Sequence, residues 1–373
     1  MKRELEEVRI AGEEEARERV RAVVLSAFGE REPAPRSSRW PRVAAVAVAL
    51  AAIGAAALSS PGRAVIDELR EVVGVKRAQP ALFSLPAPGR LLVSSDAGGW
   101  VVEQDGSKRL LGDYREASWS PFGRFVVAAK ENELTALEPD GDVRWTLSRP
   151  GVRSPRWTGT ETDTRIAYVD RTGLRVVAGD KTGDRLLVAG FRGPFAWSPG
   201  PGFVLAHTGS RGRMVIRDAE SGRVLARSGE GAVPRELVWS DDGTRLLARA
   251  PFSVRLLDGR GRRVTEEGPS DGTRAIGNAF RPGTREVVEI RRAGTGSNVF
   301  RWGDGRSLFR GTGVFDDLAW SPDGRWLLVS WPTADQWVFV RATGARRIRA
   351  VASVSEQFRS RSFPRIEGWC CAR

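Results

Sequence analysis

The chain has 373 residues, with 59 Lys+Arg against 46 Asp+Glu, a net charge of +13, 42 glycines, 21 prolines, 13 tryptophans, one histidine and two cysteines. So little histidine and cysteine excludes zinc sites built on those ligands and leaves any Ser-His-Asp triad resting on His207 alone. Glycine and proline are dispersed among hydrophobic runs, which is the texture of turn-dense β-structure and not of a low-complexity chain.

The pattern predicts a helix over residues 3–28, where Leu5, Val8, Val20, Val23, Val24, Ala27 and Phe28 recur at three- and four-residue spacing among charged side chains. Pro33-Ala34-Pro35 ends it, so residues 1–42 read as a cytoplasmic helical segment and linker. Residues 43–60 carry no charge and reach the short end of a membrane-spanning length. Arg31, Arg36, Arg39 and Arg42 precede them, which places the N-terminus in the cytoplasm of a bacterium and the rest of the chain outside. A cleaved secretion signal ending near Ala55-Ala56-Ala57 is the alternative, opposed by the long charged segment before it. Residues 61–79 read as a juxtamembrane helix and linker, with Val65, Ile66, Leu69, Val72 and Val73 at helical spacing between Pro61 and Gly74.

Residues 80–373 form one repeat domain. Trp320-Ser321-Pro322-Asp323-Gly324-Arg325-Trp326 predicts a strand end, a tight turn and a strand start: proline presets the turn's first corner, and Asp-Gly closes it. Aligned aromatics at Trp119, Trp157, Trp197, Trp239, Phe280 and Trp320 are separated by 38, 40, 42, 41 and 40 residues. A second turn signal follows each, as at Asp140-Gly141, Ser221-Gly222 and Thr343-Gly344. Two hairpins in a period near forty predict four-stranded blades in a radial array. Leu85 matches the aromatic position of a further unit, which makes seven blades, with six as the alternative. Trp369 has no strand after it, so the segment around it is predicted to supply the innermost strand of blade 1 and close the ring.

This pattern resembles the TolB-type and WD-repeat-like β-propeller family, whose hallmark is a Ser-Pro-Asp-Gly turn beside an aromatic. The resemblance covers residues 85–369. Three departures stand out: Phe122 for aspartate, a stretched turn over residues 157–164, and Arg281 for serine. The resemblance implies ligand binding or protein–protein interaction on a scaffold and does not imply catalysis.

No catalytic residue, metal site or cofactor is expected, since there is no Gly-x-Ser-x-Gly elbow, no phosphate-binding glycine loop and no calcium-loop spacing. His207 lies in a strand-like run and reads as structural or exposed. Cys370 and Cys371 read as two small hydrophobes of the closing strand, with an adjacent-residue disulfide or an intermolecular bridge as alternatives. The basic surplus is almost all arginine, and no helix or loop concentrates it with interleaved aromatics, so a nucleic-acid partner is not expected.

Counting back from each aromatic along the inner strand locates the mouth of the central channel. Four positions back stand Arg115, Arg153, Gly193, Arg235, Ile276, Asp316 and Arg365, and three back stand Glu116, Ser154, Pro194, Glu236, Gly277, Asp317 and Ile366. The arginines predict an anion-attracting funnel, tempered by Glu116, Glu236, Asp316 and Asp317. The alternative is that these charges pair with one another and merely solvate the channel. The leading functional expectation is a non-enzymatic interaction or sensing module, anchored through residues 43–60, that takes a protein or small anionic ligand on the propeller face. One alternative is a transmembrane regulator, anti-sigma-like, whose cytoplasmic helix binds a cytoplasmic factor. Another is an extracytoplasmic enzyme acting on a glycan or peptide.

Overall fold

A computed structural model describes residues 84–371, apart from 201 and 268–272. The predicted N-terminal helix, the span over 43–60 and the juxtamembrane helix lie outside the described residues. Among the described residues, no helix is long and apolar enough to cross a membrane.

The described residues form seven four-stranded antiparallel sheets, numbered here as blades 1 to 7 in chain order. Blades 2 to 7 each take four consecutive strands. Their innermost strands are β4 (Glu116–Trp119), β8 (Arg153–Gly159), β12 (Phe195–Trp197), β16 (Glu236–Trp239), β20 (Arg274–Phe280) and β24 (Asp317–Trp320). Blade 1 is composite: β1 (Arg90–Ser95), β2 (Gly98–Val102) and β3 (Lys108–Gly112) pair in order, and β28 (Arg365–Cys370) adds on the inner side of β1. Trp369 stands opposite Leu91, so the predicted closure by the C-terminal segment is what the chain adopts. Each inner strand touches the next, from β4 round to β24, and β24 touches β28, which touches β4. The ring has seven blades and no open seam, which removes the edges that a linear array would expose.

Leu85 is buried in the core between blades 7 and 1, but the backbone from 84 to 89 is not a strand, and the first strand begins at Arg90. The strand that the repeat demands before that turn is supplied instead from the far end of the chain. A four-residue helix, α1 (Val354–Gln357), precedes β28 and was not foreseen. It leads into Phe358, which is buried against Trp100 and Trp337 with ring centroids 5.8 and 5.0 Å away.

The repeat's turn chemistry is visible atom by atom in blade 7. Ser321 Oγ donates to Asp323 Oδ1 at 2.6 Å, and the Arg325 N–H donates to the same oxygen at 3.0 Å. Gly324 takes φ +63, the left-handed corner that favours glycine. Second and third strands, such as β2 with every residue buried, are sandwiched between neighbouring blades. The apolar core accordingly divides into seven clusters, one at each junction between blades; that between blades 7 and 1 contains Trp326, Trp337, Phe339 and Trp369.

The junction between blades 2 and 3 is polar as well. Asp184, on blade 3, accepts from Tyr168 Oη at 2.6 Å, from Arg175 Nη2 at 2.9 Å and from Arg149 Nε at 2.9 Å. Arg149 follows the outermost strand of blade 2, so this buried carboxylate ties two blades together. Burial alone would raise the Asp184 carboxyl, but bonds from Arg175, Tyr168 and Arg149 outweigh it and hold the group below the ordinary range.

Candidate functional site

The inner strands bring their N-terminal residues to one end of the channel, and a cavity of about 730 Å³ opens there beside blades 3, 4 and 5. Its charged lining is Arg156, Arg192, Arg235, Arg249 and Glu236, with Pro194 among the rest. Glu236 accepts from Arg249 Nε at 2.9 Å, which neutralises one of the four guanidiniums. Arg192 donates to the carbonyl oxygens of Asp170 and Arg171 at 2.9 and 2.8 Å, contacts that hold the side chain but leave its charge uncompensated. The Arg156 guanidinium donates to the carbonyl of Pro155 at 3.0 Å, and neither it nor the exposed Arg235 has an ion-pair partner among the described residues. Four cations facing one carboxylate across a concave surface attract anions, and the low-dielectric walls strengthen the field.

Of the four mouth arginines expected from the sequence, Arg235 lines this cavity and Arg153 does not. The reason is a β-bulge: Arg153 pairs with Val169 and Arg156 with Ala167, so Ser154 and Pro155 together occupy a place that one residue would fill. Pro155 has no N–H to give the ladder, and Ser154 takes φ +52. Arg156, one residue before Trp157, is carried into the cavity instead. Glu116 is also committed, its carboxylate accepting the Ser154 N–H at this bulge. Arg249 was missed because it lies on the second strand of blade 5, opposite Glu236, and Arg192 because it precedes its strand. A proline inside a predicted strand was the one available signal of the bulge.

The remaining expected residues gather on the opposite side, around blades 7, 1 and 2. Arg365 donates to Glu367 Oε1 at 2.8 Å and to the Arg115 carbonyl oxygen at 3.3 Å. Asp317 looks across the channel, where burial pushes its carboxyl well above the ordinary range, and Glu236, Asp316 and Glu367 add to the effect. The mouth is therefore divided, basic on blades 3 to 5 and rich in carboxyl groups on blade 7, where Asp316 and Asp317 stand, while on blade 1 Arg365 and Glu367 pair. The expectation was four arginines converging on one mouth and tempered by carboxylates; of the four, Arg235 alone lines the cavity, Arg153 is displaced by the bulge, and Arg365 pairs with Glu367.

His207 is buried on blade 4, edge-on to Phe191 at 5.5 Å, and its Nδ1 lies 3.2 Å from the Thr208 carbonyl oxygen. Burial pushes its pKa down to about 4, so it is neutral at physiological pH and structural. Cys370 and Cys371 are joined as an adjacent-residue disulfide at the end of the closing strand, which corrects the reading of two unlinked hydrophobes. Among the described residues, no group of three acidic, histidine or cysteine side chains could hold a metal ion.

Neither a protein-family model nor a curated protein sequence matches the chain. Solved structures do. The β-propeller domain of Cps50 (Swd1) from Myceliophteria thermophila is 14% identical at a TM-score of 0.53, covering 68% of this chain and 93% of that one. A chain in the crystal structure of a mitotic checkpoint complex is also 14% identical, at a TM-score of 0.50, covering 64% of this chain and 77% of that one. Likeness at this identity carries the fold alone: the described part of the chain is a seven-bladed β-propeller with WD40-like structural neighbours.

Proposed function

We propose that this propeller is a non-enzymatic binding module that takes an anionic ligand or an acidic segment of a partner protein on the basic half of its channel mouth. The observation that carries the reading is the cavity of about 730 Å³ in which Arg156, Arg192, Arg235 and Arg249 face Glu236 alone. Propellers of this fold serving in a multiprotein assembly, as in the mitotic checkpoint complex, support a protein partner. The Ser-Pro-Asp-Gly turn supports kinship with TolB-type propellers, and the arginines before residue 43 support a single membrane anchor with the propeller outside a bacterial cytoplasmic membrane.

The test is fluorescence anisotropy of a labelled hexaglutamate peptide with the full-length chain. Binding should weaken steeply between 50 and 500 mM salt, roughly as screening requires. The double variant Arg156→Ala/Arg235→Ala should lose at least about ten-fold in affinity, the cost of one or two charge-assisted contacts. The pair Arg115→Ala/Arg153→Ala, outside the cavity, should bind as the parent does. Equal loss in both variants, or none in either, would remove the site from these blades. Topology is tested separately by reporter fusions at positions 40 and 80, and a periplasm-type reporter active at 40 would refute the orientation.

A further inference from the structure

Two of the three departures from the repeat sit on neighbouring blades, and both border one groove. In blades 5 and 7 the turn aspartate is engaged by the turn serine, as in Ser240 Oγ to Asp242 Oδ1 at 2.6 Å. Blade 2 has Phe122 there, at φ +67 and 60% exposed. A bulky residue in left-handed backbone with its ring in water is disfavoured twice over, and such outliers gather where a site needs them. The stretched turn of blade 3, with Thr160, Glu161 and Thr162, stands across from it. The third departure, Arg281, is used by the fold itself: its Nε donates to the Gly324 carbonyl oxygen at 2.8 Å, and its guanidinium lies 6.0 Å from the Trp320 ring. Among the described residues the Phe122 side chain makes no hydrogen bond, and in the stretched turn Thr160 and Asp163 close the loop while Glu161 and Thr162 line the groove rim.

Between them lies a groove of about 620 Å³. Phe125, Trp145 and Trp157 line it, the first and last stacked with centroids 6.1 Å apart and planes at 15°. The Trp157 indole N–H is buried and meets no acceptor among the described residues. The charged lining carries both signs, with Arg124 and Arg144 beside Glu161 and Asp180, and Arg144 is itself paired with Glu138. Arg124 and Arg144 lie 5.2 and 5.8 Å from the Phe125 centroid, so the chain supplies its own cations to that ring. A cationic ligand has little to gain here, and an anionic one meets two carboxylates. What fits is a neutral molecule with apolar faces for the rings and many hydroxyls for the rim, where guanidinium and carboxylate edges and the threonine hydroxyls offer donors and acceptors together.

We propose that the groove between blades 2 and 3 is a binding site for a neutral oligosaccharide, separate from the channel mouth and independent of its ligand. The test is an array of neutral, uronic and sulfated oligosaccharides probed with the full-length chain, followed by calorimetry with the best neutral glycan and with a decaproline peptide. Neutral glycans should be retained, with affinity unchanged between 50 and 500 mM salt. Trp145→Ala should weaken binding at least about ten-fold. Phe122→Gly, which relieves the backbone and so keeps the fold, should weaken it several-fold while the melting temperature holds or rises. Retention of no neutral glycan, preference for acidic glycans or decaproline, or full binding by both variants would each overturn the proposal.

Discussion

Trp197 reaches back one blade and donates its indole N–H to the carbonyl oxygen of Arg156 at 3.0 Å. Arg156 immediately precedes Trp157, the corresponding aromatic of blade 3. Trp239 repeats the contact with Ala196 at 3.3 Å. The repeat's tryptophan thus fills the junction between blades and, on blades 4 and 5, also fixes their register. In Trp119, Trp320 and Trp369 the same nitrogen is buried and, among the described residues, has no hydrogen-bond partner, so the ring there contributes no indole bond to the junction.

This contrast makes a prediction. Trp197→Phe should cost about 1 kcal/mol more than Trp119→Phe, the net worth of one hydrogen bond beyond the common loss of ring area. Urea denaturation of both variants measures it. Equal midpoint shifts at unchanged slope would show that the indole bond adds nothing.

Deleting residues 365–373 should destabilise the ring far beyond the size of the segment. It opens the inner edge of β1 and removes Ile366 and Trp369 from the core, where Trp369 meets Phe339 at 5.7 Å. Losing two large buried side chains and a strand's ladder costs on the order of 5 kcal/mol or more, which lowers the melting temperature by about 10 °C or more. Melting within a few degrees of the parent would show that β28 does not close the ring in solution.

His207 should make stability depend on pH in mild acid. Its folded pKa of about 4 lies below the ordinary 6.5, so the unfolded chain binds the proton first. Its contribution is complete above about pH 6.5 and is lost as pH falls toward 4, reaching roughly 3 kcal/mol. His207→Phe should flatten that part of the stability profile, and an unchanged profile in chemical denaturation between pH 4 and 7 would contradict the buried neutral state.

Asp317 should act with the opposite sign. Its carboxyl is raised by burial and by the carboxylates around it, so stability is present below the unfolded value of 3.8 and declines as pH rises through the folded value. Asp317→Asn can keep the 2.8 Å acceptor bond from the Leu318 N–H and removes the charge. The variant should melt above the parent at pH 7, with the gap closing toward pH 4. A variant less stable at pH 7 would mean that Asp317 has a cationic partner there.

Much of the architecture was legible along the chain because a blade is a local object. Asp-Gly and Ser-Gly turns, alternating burial and a forty-residue period are all short-range consequences of how a hairpin closes and packs. The closing strand was legible too, since Trp369 stands at the place of a repeat aromatic and blade 1 lacks an inner strand of its own. The mouth was half legible: Arg235 and Glu236 were placed by counting, but Arg156, Arg192 and Arg249 were not. Counting assumes an unbroken register, and the Ser154-Pro155 bulge, a second-strand neighbour and a pre-strand loop each break that assumption.

The sequence by itself determined a β-propeller of forty-residue units, seven with six as the alternative, whose ring the segment around Trp369 closes, because turn chemistry and apolar periodicity act within a few residues and leave the chain few other ways to bury its tryptophans. Only the tertiary structure decided that the mouth is basic on one side and rich in carboxyl groups on the other, that Asp184 binds blade 2 to blade 3, and that Phe122 faces the stretched turn across an aromatic groove. Those features depend on which side chains from distant blades come within a few ångströms, and Coulomb pairing, burial and bulge geometry are set by that proximity and not by order along the chain.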